Sequence, residues 1–511
     1  MRQGVPEYAG APTTSRHRSG ALWVIAALLL AVAPRPLGAQ EMSQQDLQAK
    51  VQTLTEAVNR AQQQLEESQR QLADLRRQLA DLRQQMDPPG QAQAETAQQS
   101  LSAEVEALKE EQAMHTTQIA THDQEKIETA SKYPLKMTGL VLLSGLVNTN
   151  RVDVPAAPTL ALSGAGSTGF SMRQTQLGLD ARGPHLFGAS SFADVRADFF
   201  GQAAQSSYGG GYDAAGLLRL RTAHAFLEWE HTQAFFSLDR TILSPNEPTS
   251  LTAVATPPLA WSGNLWTWNP QVGASHDFSL PGTYRFRTEA ALIDAADPSY
   301  TASAAGSVQA PTTVEQSRWP GAEARLAVAG AQEESGFRFG VGGYFSPHRT
   351  PYYGKQFDSW AGTLDYRQPL PARLQLSGSF YRGLGLGGLG GGAFKDYGVR
   401  ESSLYPSLYF VWPLDAVGGW AELKERASER LQFNAAFGMD SVTAREVRRY
   451  PGPVANTYQN LIGNQTYTGN VIYSPSAWLM FSLEYRHLES RYADSSAPSG
   501  NVIGAAAGYR F

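Results

Sequence analysis

Two different patterns of apolar residues divide the chain. From Leu47 to Met86 apolar residues recur in steps of four and three, which is the seam of an α-helical coiled coil and requires partner helices. The seam positions are Leu47, Val51, Leu54, Val58, Leu65, Leu72, Leu75, Leu79 and Leu82. The Asp-Pro-Pro-Gly run at 87–90 ends the pattern, because proline cannot continue a helix. We predict a coiled coil over residues 41–86, and the mixture of Val and Leu at its seam leaves the number of helices open.

A weaker repeat of the same kind follows from Leu101 to Ile119, so residues 87–131 are predicted to be a linker and a second, short helix. His115 and His122 would lie on one face of this helix, seven residues apart. They are either a polar layer that sets the register of the helices or a layer that binds an ion or responds to pH.

The apolar period changes to two after Lys132. Apolar residues from Tyr284 to Leu292, from Leu431 to Met439 and from Leu479 to Tyr485 alternate with polar or small ones, and Phe337–Phe345 behaves similarly. This alternation is typical of β-strands with one apolar and one polar face. Residues 132–511 are therefore predicted to form an all-β domain.

The links between these strands alternate between short and long. The short links are 183–186, 230–231, 281–282, 331–335, 369–372, 427–429 and 474–476. The long links are 149–168, 201–216, 240–268, 295–319, 346–357, 384–416, 441–462 and 490–500. Such segregation is typical of an outer-membrane barrel, which has short periplasmic turns and long external loops. The pattern predicts a transmembrane barrel of sixteen antiparallel strands, within a range of roughly 14–18.

Two segments do not fit this alternation. Leu404–Val411 resembles a strand but would spoil the order of short and long links, so we assign it to an external loop. Leu217–Trp229 changes phase midway, because Arg219 and Arg221 have the same parity as the later apolar residues. A β-bulge would explain that change.

Residues 1–39 are predicted to be a secretory signal peptide. Arg16, His17 and Arg18 precede an apolar run, Ala21–Ala33, which is too short to span a bilayer. We place cleavage after Ala39, with the exit near Ala31 and Ala33 as the alternative. The barrel would then lie in the outer membrane of a Gram-negative-type bacterium, in contact with lipid and lipopolysaccharide, and the coiled coil in the periplasm. Phe511 lies in phase with the last strand and resembles the terminal aromatic residue that the barrel-assembly machinery recognises.

Composition argues against several other classes of protein. The chain has no cysteine, so a disulfide framework, a thiolate nucleophile and a Cys-based zinc site are excluded. Its net charge of −5 makes nucleic acid an unexpected partner. The nine histidines show no metal-ligand spacing, so we expect no metal and no cofactor. A G-x-G-x-x-G match at Gly385–Gly390 lacks a strand–helix frame, and His276 beside Asp277 lacks the serine motif of barrel phospholipases. We predict that the protein is not an enzyme.

A barrel of sixteen strands is wide enough for an aqueous channel. The link Arg240–Trp268 follows the fifth strand, and its place resembles that of the loop that narrows general porins. The predicted constriction residues are Arg240, Glu247, Trp261, Trp266 and Trp268. The alternative is a surface loop that packs on a neighbouring subunit.

The polar face of the strands would line the channel. The predicted lining residues are Arg196, Arg219, Arg221, Arg285, Arg287, Arg325, Arg338, Arg373, Asp194 and Asp198. Arg219 with Arg221, and Arg285 with Arg287, each place two guanidinium groups on one face. Such a pair can hold a carboxylate or a phosphate, or it can form salt bridges with the lumen carboxylates.

Several segments resemble the DcaP-like trimeric porins. They are RQTQLGLDARGP at 173–184, ADVRADFFG at 193–201, LRLRTAHAFLEW at 218–229, WSGNLWTWNPQ at 261–271 and GGWAELKERASERLQFNAAFGMD at 418–440. The resemblance covers most of the barrel and implies a homotrimer that takes up small, often anionic solutes passively. One stretch departs from it. Ser237, Leu238, Asp239 and Arg240 stand where the resemblance implies a Gly-Gln pair before an acidic and an aromatic residue, so the contacts near the constriction stay open.

Two other functions fit the same sequence. The barrel could be structural, tethered to peptidoglycan by its coiled coil. It could also be a sugar porin, because sucrose-type porins carry a coiled-coil leader too. Sugar porins have a row of aromatic residues in the lumen, whereas Tyr344 and Tyr381, which are predicted to point inward here, form no evident row.

Overall fold

The computed structural model describes residues 134–201, 216–295, 311–330, 336–352, 354–402, 404–405, 408–449 and 458–511. The predicted signal peptide, coiled coil, linker and second helix lie outside the described residues and stay predictions.

The described residues form a large sheet and a few short helices. The strands are β1 (Leu135–Val152), β2 (Ala161–Ser171), β3 (Gln176–Arg182), β4 (Ser190–Gly201), β5 (Leu217–Glu228), β6 (Thr232–Asp239), β7 (Asn269–Ser279), β8 (Tyr284–Ile293), β9 (Gly321–Gly330), β10 (Arg338–Arg349), β11 (Gln356–Leu370), β12 (Leu374–Leu384), β13 (Tyr397–Glu401), β14 (Tyr409–Pro413), β15 (Asp415–Arg426), β16 (Leu431–Val442), β17 (Leu461–Tyr473), β18 (Leu479–Tyr492) and β19 (Ser499–Arg510). The helices are α1 (Thr313–Ser317) and α2 (Ala444–Arg449), with 3₁₀ turns at Gly387–Leu389, Gly392–Phe394 and Tyr458–Asn460. In the part of the chain that the structure describes, no helix is long and apolar enough to cross a bilayer.

The sheet closes on itself. Each strand pairs antiparallel with its neighbour, and β19 pairs with β1 in a register that joins Ile503 to Val147. At the end of this seam where β19 stops, the Gly139 N–H donates to the Phe511 carbonyl over 2.9 Å, and the Phe511 N–H donates to the Gly139 carbonyl over 3.0 Å. β2 and β3 lie end to end against β1, so the seventeen strands of the described sheet make sixteen crossings. The prediction of a closed sixteen-stranded antiparallel barrel is confirmed.

The two faces of the barrel differ as the alternation predicts. On β18 the outward side chain of Leu483 is 63% exposed, whereas that of the inward Glu484 is 4% exposed. The same contrast recurs on β19 between Ile503 and Val502. A wall that exposes apolar side chains outward, with its main-chain groups paired around a closed ring, suits a hydrocarbon environment.

The structure also shows where the strand boundaries were wrong. β10 and β11 continue to the pair Arg349 and Gln356, although the sequence predicted a loop from Ser346 to Phe357. In the same way β1 continues to Val152 and β18 to Tyr492. The apolar alternation fades at these ends because their outer faces are no longer mostly apolar, yet the main-chain pairing goes on.

Both irregular segments behave as predicted. β14 pairs with β13 in a separate two-stranded sheet, so the stretch from Leu404 lies in the loop between β12 and β15. In β5, Thr222 faces Arg196 and Leu220 faces Ala197, which leaves Arg221 without a cross-strand partner in the β4 register. This bulge lets Arg219, Arg221 and His224 all point inward.

The second crossing contains a break that the sequence did not reveal. The chain turns between β2 and β3, where the Thr175 N–H donates to the Met172 carbonyl over 3.0 Å. The Thr175 hydroxyl then accepts the Leu142 N–H of β1 over 3.1 Å, which repairs the ladder across the gap. Because the alternation is interrupted there, the consecutive side chains of Gln174 and Thr175 are both buried.

Candidate channel and its inward loop

The link between β6 and β7, residues 240–268, lies inside the barrel, and we call it the inward loop. Three carboxylates of the wall hold it. Glu323 accepts the Ile242 N–H over 3.3 Å and the Thr241 hydroxyl, and Glu422 accepts the Thr249 N–H over 2.6 Å. The third carboxylate, Glu484, accepts the Thr252 hydroxyl over 2.7 Å. The loop is rich in Ser and Thr because each of these contacts needs a donor that carries no charge of its own.

The far end of the inward loop reaches the opposite wall. The Asn464 amide on β17 donates to the Ser262 hydroxyl over 2.7 Å. The next residue, Gly263, has a φ of +95°, and a Cβ there would lie 2.1 Å from the Gly419 carbonyl oxygen. The main chains of loop and wall can approach this closely because the residue is glycine.

We expect Gly263→Ala to displace the far end of the inward loop, because the new methyl group would overlap the Gly419 carbonyl oxygen. The barrel should still form, since its strands are untouched, but the reconstituted protein should conduct with altered and less uniform step sizes. Gly169→Ala is the matched control, because a Cβ at Gly169 meets no atom within 4 Å. Identical single-channel recordings for the two variants would contradict this assignment.

A second link also folds inward. Residues 385–397, between β12 and β13, are almost all buried. This segment packs on the inward loop, where the Thr267 hydroxyl donates to the Gly388 carbonyl over 2.7 Å and the rings of Trp261 and Phe394 stack 3.6 Å apart. The G-x-G-x-x-G match is therefore part of a packed loop, and its glycines permit close contact with Trp266.

Lys395 fixes the end of this second loop. Its ammonium group donates to the Leu461 carbonyl over 2.7 Å and to the Ala393 carbonyl over 3.0 Å. Burial lowers the pKa of Lys395 to about 7, with Asp440 acting in the opposite direction. Asp440 in turn accepts the Ala393 N–H over 2.7 Å, so one carboxylate and one lysine tie the loop to β16 and β17.

The two loops cover one half of the inner wall and leave the other half partly exposed. On β15 to β18 most inward polar side chains are buried, as Glu422, Asn464 and Glu484 illustrate. On β3 to β8 several inward charged side chains keep part of their surface, as Arg196 with 34% exposed shows, although Asp198 is fully buried. Water can therefore reach these side chains on β3 to β8.

Asp198 holds the predicted pair Arg219 and Arg221 in place. Arg219 donates to both of its carboxylate oxygens, over 3.1 and 2.7 Å, and Arg221 to one over 3.0 Å. The same guanidinium groups donate to the Ala255 and Val254 carbonyls of the inward loop. Their faces lie 5.1 and 4.9 Å from the centre of the Trp268 ring. This pair is thus engaged in holding the loop, as the salt-bridge alternative implied.

The pair Arg285 and Arg287 on β8 shares the carboxylate of Asp277. Both approach Asp277, at 3.9 and 3.7 Å, and Arg287 also contacts Glu289 over 3.2 Å. Their side chains are 26% and 23% exposed. These arginines therefore present charge to the open half of the lumen. Arg196 on β4 pairs with Asp180 and lies 3.7 Å from Asp194.

Three other predicted lining residues have different surroundings: one is buried, one contacts the inward loop and one lies in a turn. Arg325 is 2% exposed and donates to both oxygens of Asp365 over 2.8 Å, and also to Glu289. Arg338 donates to the Pro245 carbonyl over 3.2 Å and to Asn246, both in the inward loop. Arg373 lies in the tight turn between β11 and β12, 63% exposed and 3.9 Å from Glu429, rather than on a strand.

The predicted constriction residues fall into two groups. Arg240 pairs with Glu247 over 3.1 Å at the exposed edge of the inward loop. Trp261 is buried against Phe394, while Trp266 packs edge-on against both Trp261 and Trp268. The three tryptophans form an aromatic row that continues to Arg219 and Arg221.

Two polar residues in this region were missed by the sequence reasoning. His224 lies between Asp194 and Asp239, with each ring nitrogen 3.0 Å from a carboxylate oxygen, an arrangement that favours the doubly protonated ring. Gln174 is buried at the strand break. His224 could have been found only by first locating the bulge in β5. Within the described residues, no group of three or more His, Asp or Glu could hold a metal ion.

Neither the protein-family models nor the curated proteins give a match to this chain. Among solved structures, the outer membrane channel DcaP of Acinetobacter baumannii matches with a TM-score of 0.53 and 16% identity, over 75% of this chain and 99% of that one. The barrel has the fold of the DcaP channel. The resemblance of the sequence segments to DcaP-like porins is thus supported by the fold. An anion-selective porin from Comamonas acidovorans matches with a TM-score of 0.44 and 10% identity, over 74% of this chain and 100% of that one.

Proposed function

We propose that the protein is an outer-membrane porin, a passive diffusion channel for small hydrophilic solutes with a preference for anions. The observation that supports this most is the uneven inner wall. The loops fill one half of the lumen, and the other half keeps charged side chains partly exposed from β3 to β8. A lumen that served only as a structural core would have its polar groups paired and buried on all sides.

The preference for anions rests on Arg285 and Arg287. Both side chains share Asp277 and are 26% and 23% exposed, so part of their field reaches water in the lumen. A homotrimer fits the predicted coiled-coil seam, whose apolar positions require partner helices. The outer membrane of a Gram-negative-type bacterium fits the exposed apolar belt of the barrel.

We expect the purified protein to conduct ions when it is reconstituted in planar bilayers. A homotrimer should add current in groups of three equal steps, and the reversal potential under a KCl gradient should indicate preference for chloride. Protein that folds and inserts but carries no current would refute the channel and favour the structural barrel tethered to the cell wall.

A sugar channel is the second candidate, because the predicted constriction residues Trp261, Trp266 and Trp268 contact one another edge-on and form an aromatic row. Swelling of proteoliposomes in maltodextrins and in small dicarboxylates would separate the two candidates. Faster uptake of maltodextrins than of dicarboxylates of similar size would favour the sugar channel.

A further inference from the structure

The side chain of Gln174 joins the strand break to the inward loop. It is fully buried, and both ends of its amide are engaged. The carbonyl oxygen accepts the N–H groups of Val254 and Ala255 over 2.7 and 3.1 Å. The amide nitrogen donates to the Thr252 carbonyl over 2.8 Å and to the Ala156 carbonyl over 3.2 Å. One side chain therefore forms hydrogen bonds with the N–H groups of two loop residues and with the carbonyl of a third.

The same loop residues are held from the other side by arginines. Arg219 donates to the Ala255 carbonyl over 2.8 Å, and Arg221 donates to the Val254 carbonyl. Residues 252–255 thus lie between the Gln174 amide and the two guanidinium groups. Arg219 and Arg221 also share Asp198 on β4, so this segment and the wall carboxylate together determine where their charge lies.

Gln174 has no part in the pairing of the strands. The neighbouring Thr175 repairs the ladder of β1, and Gln176 is the first residue of β3 to pair with it. At the break between β2 and β3 the main chain of Gln174 is not part of a strand. Its side-chain amide is buried inside the barrel, against the inward loop. A side chain with a donor and an acceptor is required there, because an apolar one would leave the loop's N–H and C=O groups unpaired.

We propose that Gln174 is a positioning residue of the channel: it fixes residues 252–255 of the inward loop and, through them, Arg219 and Arg221. This inference rests on the proposed function where it concerns conduction, but the attachment of the loop can be measured without it.

The attachment is tested by the accessibility of Ala253, which is 3% exposed. The chain contains no cysteine, so Ala253→Cys gives a single thiol for a water-soluble maleimide. We expect Gln174→Met to raise the labelling rate about tenfold, the factor that corresponds to ~1.4 kcal/mol of lost local stability. Gln174→Glu keeps the acceptor but loses the donors, so its labelling rate should lie between that of the parent protein and that of Gln174→Met.

Gln432→Met is the matched control, because the Gln432 amide on β16 donates to Asn434 on the same strand over 2.7 Å. Its labelling rate should equal that of the parent protein. Heat-modifiable migration on gels checks that every variant forms the barrel. If Gln174→Met does not fold, the comparison of Gln174→Glu with the parent decides. Equal labelling of Gln174 variants and control would overturn the proposal.

Conduction provides the second readout. In planar bilayers Gln174→Met should show noisier open-channel current and a shifted reversal potential, whereas Gln432→Met should not. If the parent protein carries no current, the proposed function fails while the labelling result still stands. If the parent conducts and the Gln174 variants match it in noise and selectivity, the role of Gln174 in the channel is refuted.

Discussion

Replacing Arg285 and Arg287 together by Glu is expected to turn the preference of the channel from anions toward cations. Both side chains point into the lumen, where they are 26% and 23% exposed and share Asp277 at 3.9 and 3.7 Å. Two unit charges about 8 Å apart interact by ~2 kcal/mol at an effective dielectric constant near 20. That energy corresponds to a factor of roughly 30, and water and salt in the lumen screen part of it. Reversing two charges should therefore change the permeability ratio by at least about fivefold.

The reversal potential under a KCl gradient measures this ratio. The experiment should be made near 0.1 M salt, where screening extends over about 10 Å, because higher salt would hide the effect. Arg285→Lys with Arg287→Lys keeps the charge and should keep the preference. Arg382→Glu provides a control outside the lumen, since Arg382 pairs with Asp415 on the outward face. An unchanged ratio in the Glu variant would show that these arginines do not set selectivity.

The second large effect concerns stability. Asp365→Ala should lower the unfolding temperature of the barrel strongly, because the Arg325 guanidinium, 2% exposed, loses its bidentate partner and keeps only Glu289, which is itself shared with Arg287. Breaking a buried ion pair in this way costs about 3–5 kcal/mol. Thermal unfolding in detergent, followed by circular dichroism and by migration on gels, measures the change.

Asp415→Ala is the matched control for this prediction. It removes the carboxylate of an exposed pair, in which Arg382 is 50% exposed, and should cost less than about 1 kcal/mol. The double variant Arg325→Met with Asp365→Leu should recover much of the loss, because it removes both buried charges. Equal effects of Asp365→Ala and Asp415→Ala would mean that burial does not govern the strength of the Arg325 pair.

The sequence carries enough information to predict the barrel wall. A period of two recurs in every crossing because lipid lies on one side and polar groups on the other, so apolar residues such as Leu483 and Ile503 mark the outer face. The bulge at Arg221 was predictable for the same reason, since a local change of phase shifts the faces of all later residues in β5.

The arrangement inside the barrel was much less predictable. Links that fold inward have no regular spacing of apolar residues that would predict their position. The buried stretch Gly385–Gly390 looks like an exposed turn in the sequence, because glycine is common both in exposed turns and where two main chains pack closely. The break before β3 could not be recognised in the sequence, because polar residues such as Gln174 and Thr175 also occur within strands. In the structure they lie between β2 and β3. Which arginines face water also depends on contacts that are distant in sequence, such as the pair of Arg325 and Asp365.

The uneven inner wall has a consequence for mutational tolerance. Inward positions follow one alternation around the whole ring, yet they differ in what they meet. On β3 to β8 some of them, such as Arg196 and Arg287, keep exposed surface, whereas on β15 to β18 most are buried against the loops. Arg219 and Arg221 are exceptions on the first arc, because they contact the inward loop. A library of substitutions at equivalent heights should therefore divide by strand: replacements on the first arc alter which molecules pass, and replacements on the second arc lower the yield of folded protein. Substitutions meant to change which solutes pass should therefore be made on β3 to β8, and β15 to β18 should be left unchanged.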